Sequence, residues 1–153
     1  MRNAKLLSVK QLDRKLKPFY NCRTIDIPTE GWIHIIRNSL NMTQEQLANK
    51  LNIGRTGVGE IEKREANGSI SINSLKEVGQ ALDLKLIYVF VPTKDSFEKL
   101  VEDKAIRLAE RIVLRTNHNM ALEDQAIDNE RLKESIKELA IEIKAEVRKG
   151  LWD

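Results

Sequence analysis

The chain is poor in the residues that most site chemistries require. Its 153 residues include one cysteine, Cys22, and two histidines, which excludes an intrachain disulfide and a cysteine-based metal cluster. Aromatic residues make up 5% of the chain, too few to suggest a stacking platform for RNA bases. Neither a glycine-rich loop followed by Lys and Ser or Thr nor a catalytic set of side chains is recognisable. The sequence therefore predicts no catalytic residues, no metal site, no cofactor and no enzyme.

Long apolar runs are also missing. No stretch approaches the ~18 residues of a membrane span, and the first ten residues, MRNAKLLSVK, lack the apolar centre and cleavage site of a signal peptide. We therefore expect a protein without membrane contact that stays in the cytoplasm. With 41% hydrophobic and 32% charged residues, the chain can form a core and fits about one domain plus an extension.

The charge is unevenly distributed. Residues 1–31 carry seven Lys and Arg against three acids, residues 32–82 six against five, and residues 83–153 thirteen against fifteen. The first half is the better match to phosphate, and the acidic last part is not expected to lie on DNA.

The most informative stretch is residues 43–65, TQEQLANKLNIGRTGVGEIEKRE. Thr43 followed by Gln46 is a capping box that starts a helix, and Asn52 tolerates the left-handed backbone that ends it. A second helix begins near Gly54. The apolar positions of the two helices face each other, with small Ala48 allowing a close crossing: Leu47, Ala48, Leu51, Val58 and Ile61. This spacing is typical of a helix-turn-helix, whose second helix enters the DNA major groove.

Two glycines interrupt that second helix. Gly57 and Gly59 each cost about 1 kcal/mol relative to Ala in a helix interior. Two interpretations are open, and they are compatible: the bare surface lets DNA approach closely, or the helix frays when free.

Helical patterns lie on both sides of this motif. Residues 31–41 place apolar side chains on one face, namely Trp32, Ile33, Ile36 and Leu40. After a turn at residues 67–69, Ser71 or Asn73 caps a helix with an apolar face formed by Ile72, Leu75, Val78 and Leu82. Residues 30–92 are therefore predicted to form a DNA-binding domain, an all-α bundle of five helices followed by a strand.

Residues 1–29 form the first predicted segment. Leu6, Val9, Leu12 or Asp13, and Leu16 recur at helical spacing with basic residues between them. The helix either touches the DNA backbone or packs on the core, and the sequence does not decide between the two. Pro18 ends it, and residues 18–29 are predicted to be an extended connector.

Residues 84–91, LKLIYVFV, have the β-branched and aromatic composition of a strand. A single strand cannot satisfy its own backbone groups. We therefore expect it to pair with the same strand of a second copy in a homodimer. The alternative is pairing with residues 22–28 of the same chain.

Residues 93–153 form the third predicted segment, a helical hairpin for dimer or partner contacts. One helix runs from Thr93 to Arg115, TNHNM at residues 116–120 breaks it, and a second apolar stripe lies within residues 122–149, through Ala126, Leu132, Ile136, Leu139, Ile143 and Val147. The alternating Glu and Lys of the outer face form a solvated surface. Alternatively, the rows of apolar residues dock a partner protein, which Leu151 and Trp152 would then also contact.

Residues 30–92 resemble the Cro/C1-type (XRE) helix-turn-helix family through RNSLNMTQEQLANKLNIGRTGVGEIEKRE and INSLKEVGQALDL. The resemblance implies that Gln44 holds a phosphate, and it places Arg55, Thr56, Gly59 and Glu60 in the groove. It further implies that Asn67 and Ser69 lie near the DNA backbone, and that Arg37 and Glu62 form a structural ion pair.

The whole chain is similar to the family called mobile mystery protein A. The segments that carry this similarity are VKQLDRKL, GWIHIIRNSLNMTQEQLA, GSISINSL, LIYVFVP and NHNMALEDQ. Members are typically encoded beside a Fic-domain protein. The two resemblances together imply a homodimeric repressor that binds an operator in double-stranded DNA and controls its own operon. The alternative is an antitoxin-type interaction protein that binds a Fic-domain partner through its C-terminal helices.

Overall fold

A computed structural model describes residues 3–123 and 128–153 of the chain, and the predicted stripe residue Ala126 lies outside this part. Its α-helices are α1 (Ala4–Leu16), α2 (Trp32–Ser39), α3 (Gln44–Leu51), α4 (Arg55–Asn67), α5 (Ile72–Ala81), α6 (Phe97–Leu122) and α7 (Asn129–Glu146). Two 3₁₀ helices cover Lys17–Thr24 and Lys149–Trp152. None of the helices in this part is long and apolar enough to cross a membrane.

The chain divides into two compact units. The central unit, Thr24–Val89, contains α2 to α5. The terminal unit consists of the residues up to Arg23 together with Phe90–Asp153, and contains α1, α6 and α7. The first helix therefore belongs to the same unit as the C-terminal helices, although the sequence suggested separate segments at 1–29 and 93–153.

The core of the central unit contains the apolar positions expected from the helix-turn-helix pattern. Its buried residues are Ile33, Leu47, Ala48, Val58 and Val78. Two large residues assigned to the face of α2, Trp32 and Leu40, are instead exposed. The buried face of α2 is formed by Ile33 and by Arg37, which pairs with Glu62, and Leu40 lies beyond Ser39, where α2 ends.

The predicted helix signals around α3 and α5 are confirmed. The Thr43 side chain accepts from the backbone N–H of Gln46, and the Gln46 side chain accepts from the N–H of Thr43. Asn52 ends α3 with a φ of 55°. Ser71, not Asn73, caps α5 by accepting from the N–H of Ser74.

The prediction of a strand at residues 84–91 is wrong for the single chain, because no strand forms in any part of the chain that the structure describes. Pairing with residues 22–28 is likewise not observed; residues 17–24 form a 3₁₀ helix in place of the expected extended connector. A strand needs the backbone of a neighbouring strand as its hydrogen-bond partner.

The predicted count of five helices is also wrong, since the fully described central unit contains four. After the fourth, the chain turns at Asp83, with a φ of 57°, and forms no further helix before Phe97.

The terminal unit has its own core between α6 and α7. Its buried residues are Val101, Ala105, Ala109, Ala140, Ile143 and Leu151, with Val9 of α1 packed against them. Because Val9 contacts this core, α1 packs against α6 and α7 as an amphipathic helix. Leu151 is 3% exposed, so it belongs to this core and is not available to a partner as the sequence suggested.

An aspartate fastens α1 to the start of α6. The Asp13 carboxylate accepts from the backbone N–H groups of Phe97 and Glu98 at 2.8 and 3.0 Å, and also from the Tyr20 hydroxyl. These N–H groups lack partners within the helix. Burial, followed by the hydrogen bond to Asp13, raises the pKa of the Tyr20 hydroxyl to about 12.

The predicted helix break at residues 116–120 is wrong, because α6 continues to Leu122. Thr116 is accommodated within the helix because its hydroxyl donates a hydrogen bond to the carbonyl oxygen of Ile112, with the two oxygens 2.9 Å apart. TNHNM contains neither proline nor glycine, and its threonine, asparagine, histidine and methionine residues are tolerated in helices at small cost. The start of α6 also lies later than expected, since Ser96 is its N-cap.

Candidate nucleic-acid interface

The outer surface of α4 carries the side chains that the resemblance assigns to DNA bases. Gly54 precedes the helix in extended backbone conformation, and Arg55, Thr56 and Glu60 are exposed. The opposite face of α4 buries Val58 and Glu62 in the central unit. The helix is therefore anchored by one face while the polar residues of its first turns point to solvent.

Gln44 and Arg55 lie at one hollow of about 400 Å³, although they are eleven positions apart in the sequence. The other residues around this hollow are Arg37, Thr43 and Glu45. Gln44 begins α3 and Arg55 begins α4. Two helix N-termini, whose N–H groups favour anions, and the Arg55 side chain thus lie near the same space.

Gln44 also reaches across the surface of α4. Its Nε2 donates to Oε2 of Glu62 at 3.4 Å, and a Cβ built on Gly59 would lie 3.9 Å from the same nitrogen. The structure thus brings together Gln44, Gly59 and Arg55 of the predicted site. Glu60 forms only an exposed ion pair with Lys63 at 4.0 Å, which contributes little to stability.

Asn67 and Ser69 are not part of this cluster. They lie at the far end of α4, about 18 Å from Arg55 by helical rise. The Asn67 side-chain oxygen accepts from the backbone N–H and the hydroxyl of Ser69 at 3.0 and 2.6 Å. Both side chains are exposed there and stabilise the turn that follows α4.

The buried ion pair between Arg37 and Glu62 fixes α4 to α2. Each residue is 7% exposed. Arg37 donates from Nε to Oε1 of Glu62 at 2.5 Å and from Nη1 to the carbonyl of Met42 at 2.8 Å. The guanidinium therefore also fixes the loop before α3. No buried side-chain nitrogen or oxygen in the described chain lacks a hydrogen-bond partner, as buried charge requires.

His34 is a third partner of Glu62 and was not expected from the sequence. Its Nδ1 lies 3.1 Å from Oε2 of Glu62, and its Nε2 lies 3.0 Å from the amide nitrogen of Asn38. An ionised carboxylate only accepts, so Nδ1 carries the hydrogen. The positions of His34, Arg37 and Asn38, three and four residues apart on one helix, were the sequence signal for this cluster.

The charge state of Glu62 follows from these contacts. Burial alone would raise its pKa, but the hydrogen bonds from Arg37 and then His34 lower the pKa of the carboxyl below its ordinary value. Glu62 is therefore ionised at neutral pH, which the buried guanidinium of Arg37 requires.

A second carboxylate of α4 holds the beginning of α2. Oε1 of Glu65 accepts from the backbone N–H of Ile33 at 2.9 Å. Gly31, with a φ of 84°, lies so close that an added Cβ would overlap this oxygen. The positive φ favours glycine at residue 31, and a larger residue would also displace the Glu65 carboxylate.

The two glycines within α4 have different surroundings. A Cβ on Gly57 would lie 3.0 Å from Cδ1 of Ile53, so this glycine makes room for the turn between α3 and α4. Gly59 has open space apart from Gln44. The interpretation of a bare surface for DNA therefore applies to Gly59 and does not account for Gly57.

Removal of one partner of the buried pair should cost more than removal of both. We expect Glu62→Leu to destabilise the protein by about 3–5 kcal/mol, because it leaves the Arg37 guanidinium buried without its carboxylate. The double variant Arg37→Met with Glu62→Leu should recover most of that loss. Urea unfolding followed by circular dichroism measures both.

Glu60→Leu, an exposed change on the same helix, is the matched control and should alter stability by less than about 0.5 kcal/mol.

The contribution of Glu62 to stability should depend on pH. Since the folded-state pKa of Glu62 is lowered, this contribution is full above the ordinary carboxyl pKa of about 4.3 and is lost as the pH falls below it. The stability difference between wild type and Glu62→Gln should shrink over the same pH range. Equal losses of stability in Glu62→Leu and in the double variant Arg37→Met with Glu62→Leu would contradict the role assigned to the buried ion pair.

The comparison with protein families supports the helix-turn-helix geometry. Residues 33–89, little more than a third of the chain, match a family model described as helix-turn-helix. Neither the curated proteins nor the solved structures gave a match to the chain. The matched residues contain α2 to α5, and the similarity of the whole chain to mobile mystery protein A stays a prediction. Residues 33–89 therefore match the Cro/C1-type (XRE) helix-turn-helix, which is a family of DNA-binding domains and not of enzymes.

Proposed function

We propose that the protein is a homodimeric transcriptional repressor that binds a specific operator sequence upstream of its own gene. The observation that carries this proposal is the orientation of α4, whose exposed residues Arg55, Thr56 and Glu60 project from a helix that Glu62 and Val58 anchor from behind. A helix held in this manner can enter a major groove with its first turns.

The side chains at the start of α4 are suited to reading base edges. Arg55 can donate two hydrogen bonds to one guanine, Thr56 can contact a base or its methyl group, and Glu60 can accept from cytosine. Gln44, beside Arg55 at the hollow, is suited to a backbone phosphate. Asn67 and Ser69 would contact the DNA backbone beyond the other end of the helix.

The homodimer is proposed to form through residues 84–91. Four large apolar side chains of this run are exposed, namely Leu84, Ile87, Tyr88 and Phe90, and Phe90 is 86% exposed. Adjacent exposed apolar residues of this size usually mark an interaction surface. A twofold dimer would place two copies of α4 on half-sites about 34 Å apart or at a multiple of that distance.

Arg55 and Gln44 should differ in their effect on DNA binding. We expect Arg55→Ala to reduce discrimination at one base pair by about 1–3 kcal/mol, whereas Gln44→Ala should weaken binding to all sequences alike. Competition gel shifts with the DNA upstream of the gene and with random duplexes of equal length measure the difference.

Lys76→Ala, which changes an exposed residue of α5, serves as the control and should preserve the sequence preference. If Arg55→Ala retained the full preference for the upstream DNA, α4 would not be the reading helix.

The dimer contact can be tested by the mass of the protein in solution. The double variant Tyr88→Ser with Phe90→Ser should elute as a monomer near the chain mass of 17.6 kDa, because it removes two exposed aromatic side chains from the proposed interface. Size-exclusion chromatography with light scattering gives the mass directly. Leu7→Ser removes an exposed apolar residue of α1 and should remain dimeric. A wild type that is monomeric at micromolar concentration would exclude this interface.

The second candidate function is an antitoxin-type interaction protein, and a groove between α6 and α7 favours it. The groove measures about 430 Å³, and its walls include Ile106, Ile136, Ala140 and Ile141. Ile141 is exposed there. An apolar groove between two helices is a common site for the helix of a partner protein, here proposed to belong to a Fic-domain protein encoded alongside.

Ile141→Glu should abolish copurification with that Fic-domain protein while leaving operator binding unchanged, because the charge lies in the groove and not on α4. Leu7→Glu, an equally exposed apolar site on α1, should not affect copurification. Retained capture by Ile141→Glu would exclude the groove as the partner site.

A further inference from the structure

Four basic side chains of α6 lie on one side of the helix and form a surface that we call the α6 basic face. They are Lys104, Arg107, Arg111 and Arg115. Since successive residues are separated by about 100° around a helix, these four fall within an arc of about 80°. The three arginines are exposed and the lysine is partly exposed. The face is about 16 Å long by helical rise, as long as about five base pairs of duplex.

These four side chains have no carboxylate partner within the described residues. Other lysines of the terminal unit are paired: Lys99 lies 2.9 Å from Glu102 and 3.3 Å from Asp103, and Lys144 lies 2.8 Å from Glu102. The hydrogen bond from Lys144 and then that from Lys99 lower the pKa of Glu102 to about 2. The acids of the first turns of α6 are thus neutralised by other bases.

Few negative charges remain near the α6 basic face. Asp103, at its edge, is the ion-pair partner of Lys99, and Glu110 lies on the same flank, about 60° from Arg107 around the helix. At the N-terminal end the positive charge continues, because Lys94 lines the same groove of about 400 Å³ as Lys104 and Arg107. The face therefore carries an excess of positive charge that the described chain does not compensate.

We propose that the α6 basic face binds phosphates of the duplex DNA that the protein contacts through α4. This inference rests on the proposed function and adds a second DNA contact from the terminal unit. Three of its four residues are arginines, whose planar guanidinium groups match phosphate oxygens in bidentate hydrogen bonds.

The connection between the two units favours DNA as the occupant. The two units belong to one chain, in which Val89 ends the central unit and Phe90 begins the terminal unit. When α4 binds its site, the duplex is therefore tethered to the chain that carries α6, which raises its effective concentration for the α6 basic face. An acidic protein would satisfy the same charges, but it would gain nothing from this tether to DNA.

The salt dependence of DNA binding tests the proposal with the full chain. In the face variant, Lys104, Arg107, Arg111 and Arg115 are all changed to Gln. In the control variant, four exposed basic residues elsewhere in the terminal unit are changed to Gln: Arg131, Lys133, Lys137 and Lys149. Both variants have the same net charge. Fluorescence anisotropy with the upstream DNA and with a random duplex gives the affinity at several salt concentrations.

The face variant should bind both duplexes at least ~10-fold more weakly at about 0.1 M salt, and the slope of log K against log salt should fall by about 0.9 for each phosphate that the variant no longer neutralises. The control variant should retain the wild-type slope. Unchanged binding by the face variant, or an equal weakening in both variants, would overturn the proposal. Binding of poly-L-glutamate by wild type but not by the face variant, with DNA binding unaltered, would assign the face to an acidic protein instead.

Arg55→Ala separates this inference from the proposed function. If Arg55→Ala loses sequence preference while the face variant binds normally, the repressor proposal stands and the α6 contact fails. If the face variant loses affinity and slope while Arg55→Ala keeps the wild-type preference pattern, α6 contacts DNA and the reading role of α4 fails.

Discussion

The arrangement of the central unit depends on the buried contact between Arg37 and Glu62. The carboxylate of Glu62, on α4, accepts hydrogen bonds from side chains of α2 and α3: from Arg37, from His34 and, more weakly, from Gln44. Because a buried charge is tolerated only when it is paired and hydrogen-bonded, these partners cannot separate without a large cost. Glu65, one turn later, holds the first turn of α2. The inner side of α4 is thereby fixed, and its outer side, with Arg55, Thr56 and Glu60, is left exposed.

The same contacts link the scaffold to the candidate interface. Gln44 has both a predicted phosphate role and an observed bond to Glu62, so its amide is held by the scaffold from one side. Gly59 leaves the surface beside that amide open, whereas Gly57 lies against the side chain of Ile53 in the turn between α3 and α4. Two glycines that look equivalent in the sequence thus serve different purposes, one in the turn and one at the surface.

The features that were predicted best from the sequence are those that depend on residues close together in the chain. The capping box of Thr43 and the left-handed Asn52 depend only on local backbone geometry. Features that depend on distant partners were missed. The sequence pattern treats Asp13 as one position of a helical stripe. In the structure, its carboxylate accepts hydrogen bonds from N–H groups at the start of α6, 84 residues away in the sequence. The strand expected at residues 84–91 required a pairing partner that the single chain does not provide. The roles of the site residues are implied by the family resemblance, while their exposure and grouping come from the structure.

Net charge over a segment was the least informative of the sequence observations. Residues 83–153 carry thirteen basic and fifteen acidic residues, and this balance argued against DNA contact for the whole segment. A helix, however, sorts charges by direction as well as by sequence position. On α6 the acids Glu98 and Glu102 are turned toward Lys144 of α7, which leaves the opposite arc to the arginines. A segment with negative net charge can therefore present a positive surface. A charged partner would respond to that surface and not to the net charge of the segment, because screening limits electrostatic attraction to about 8 Å at physiological salt.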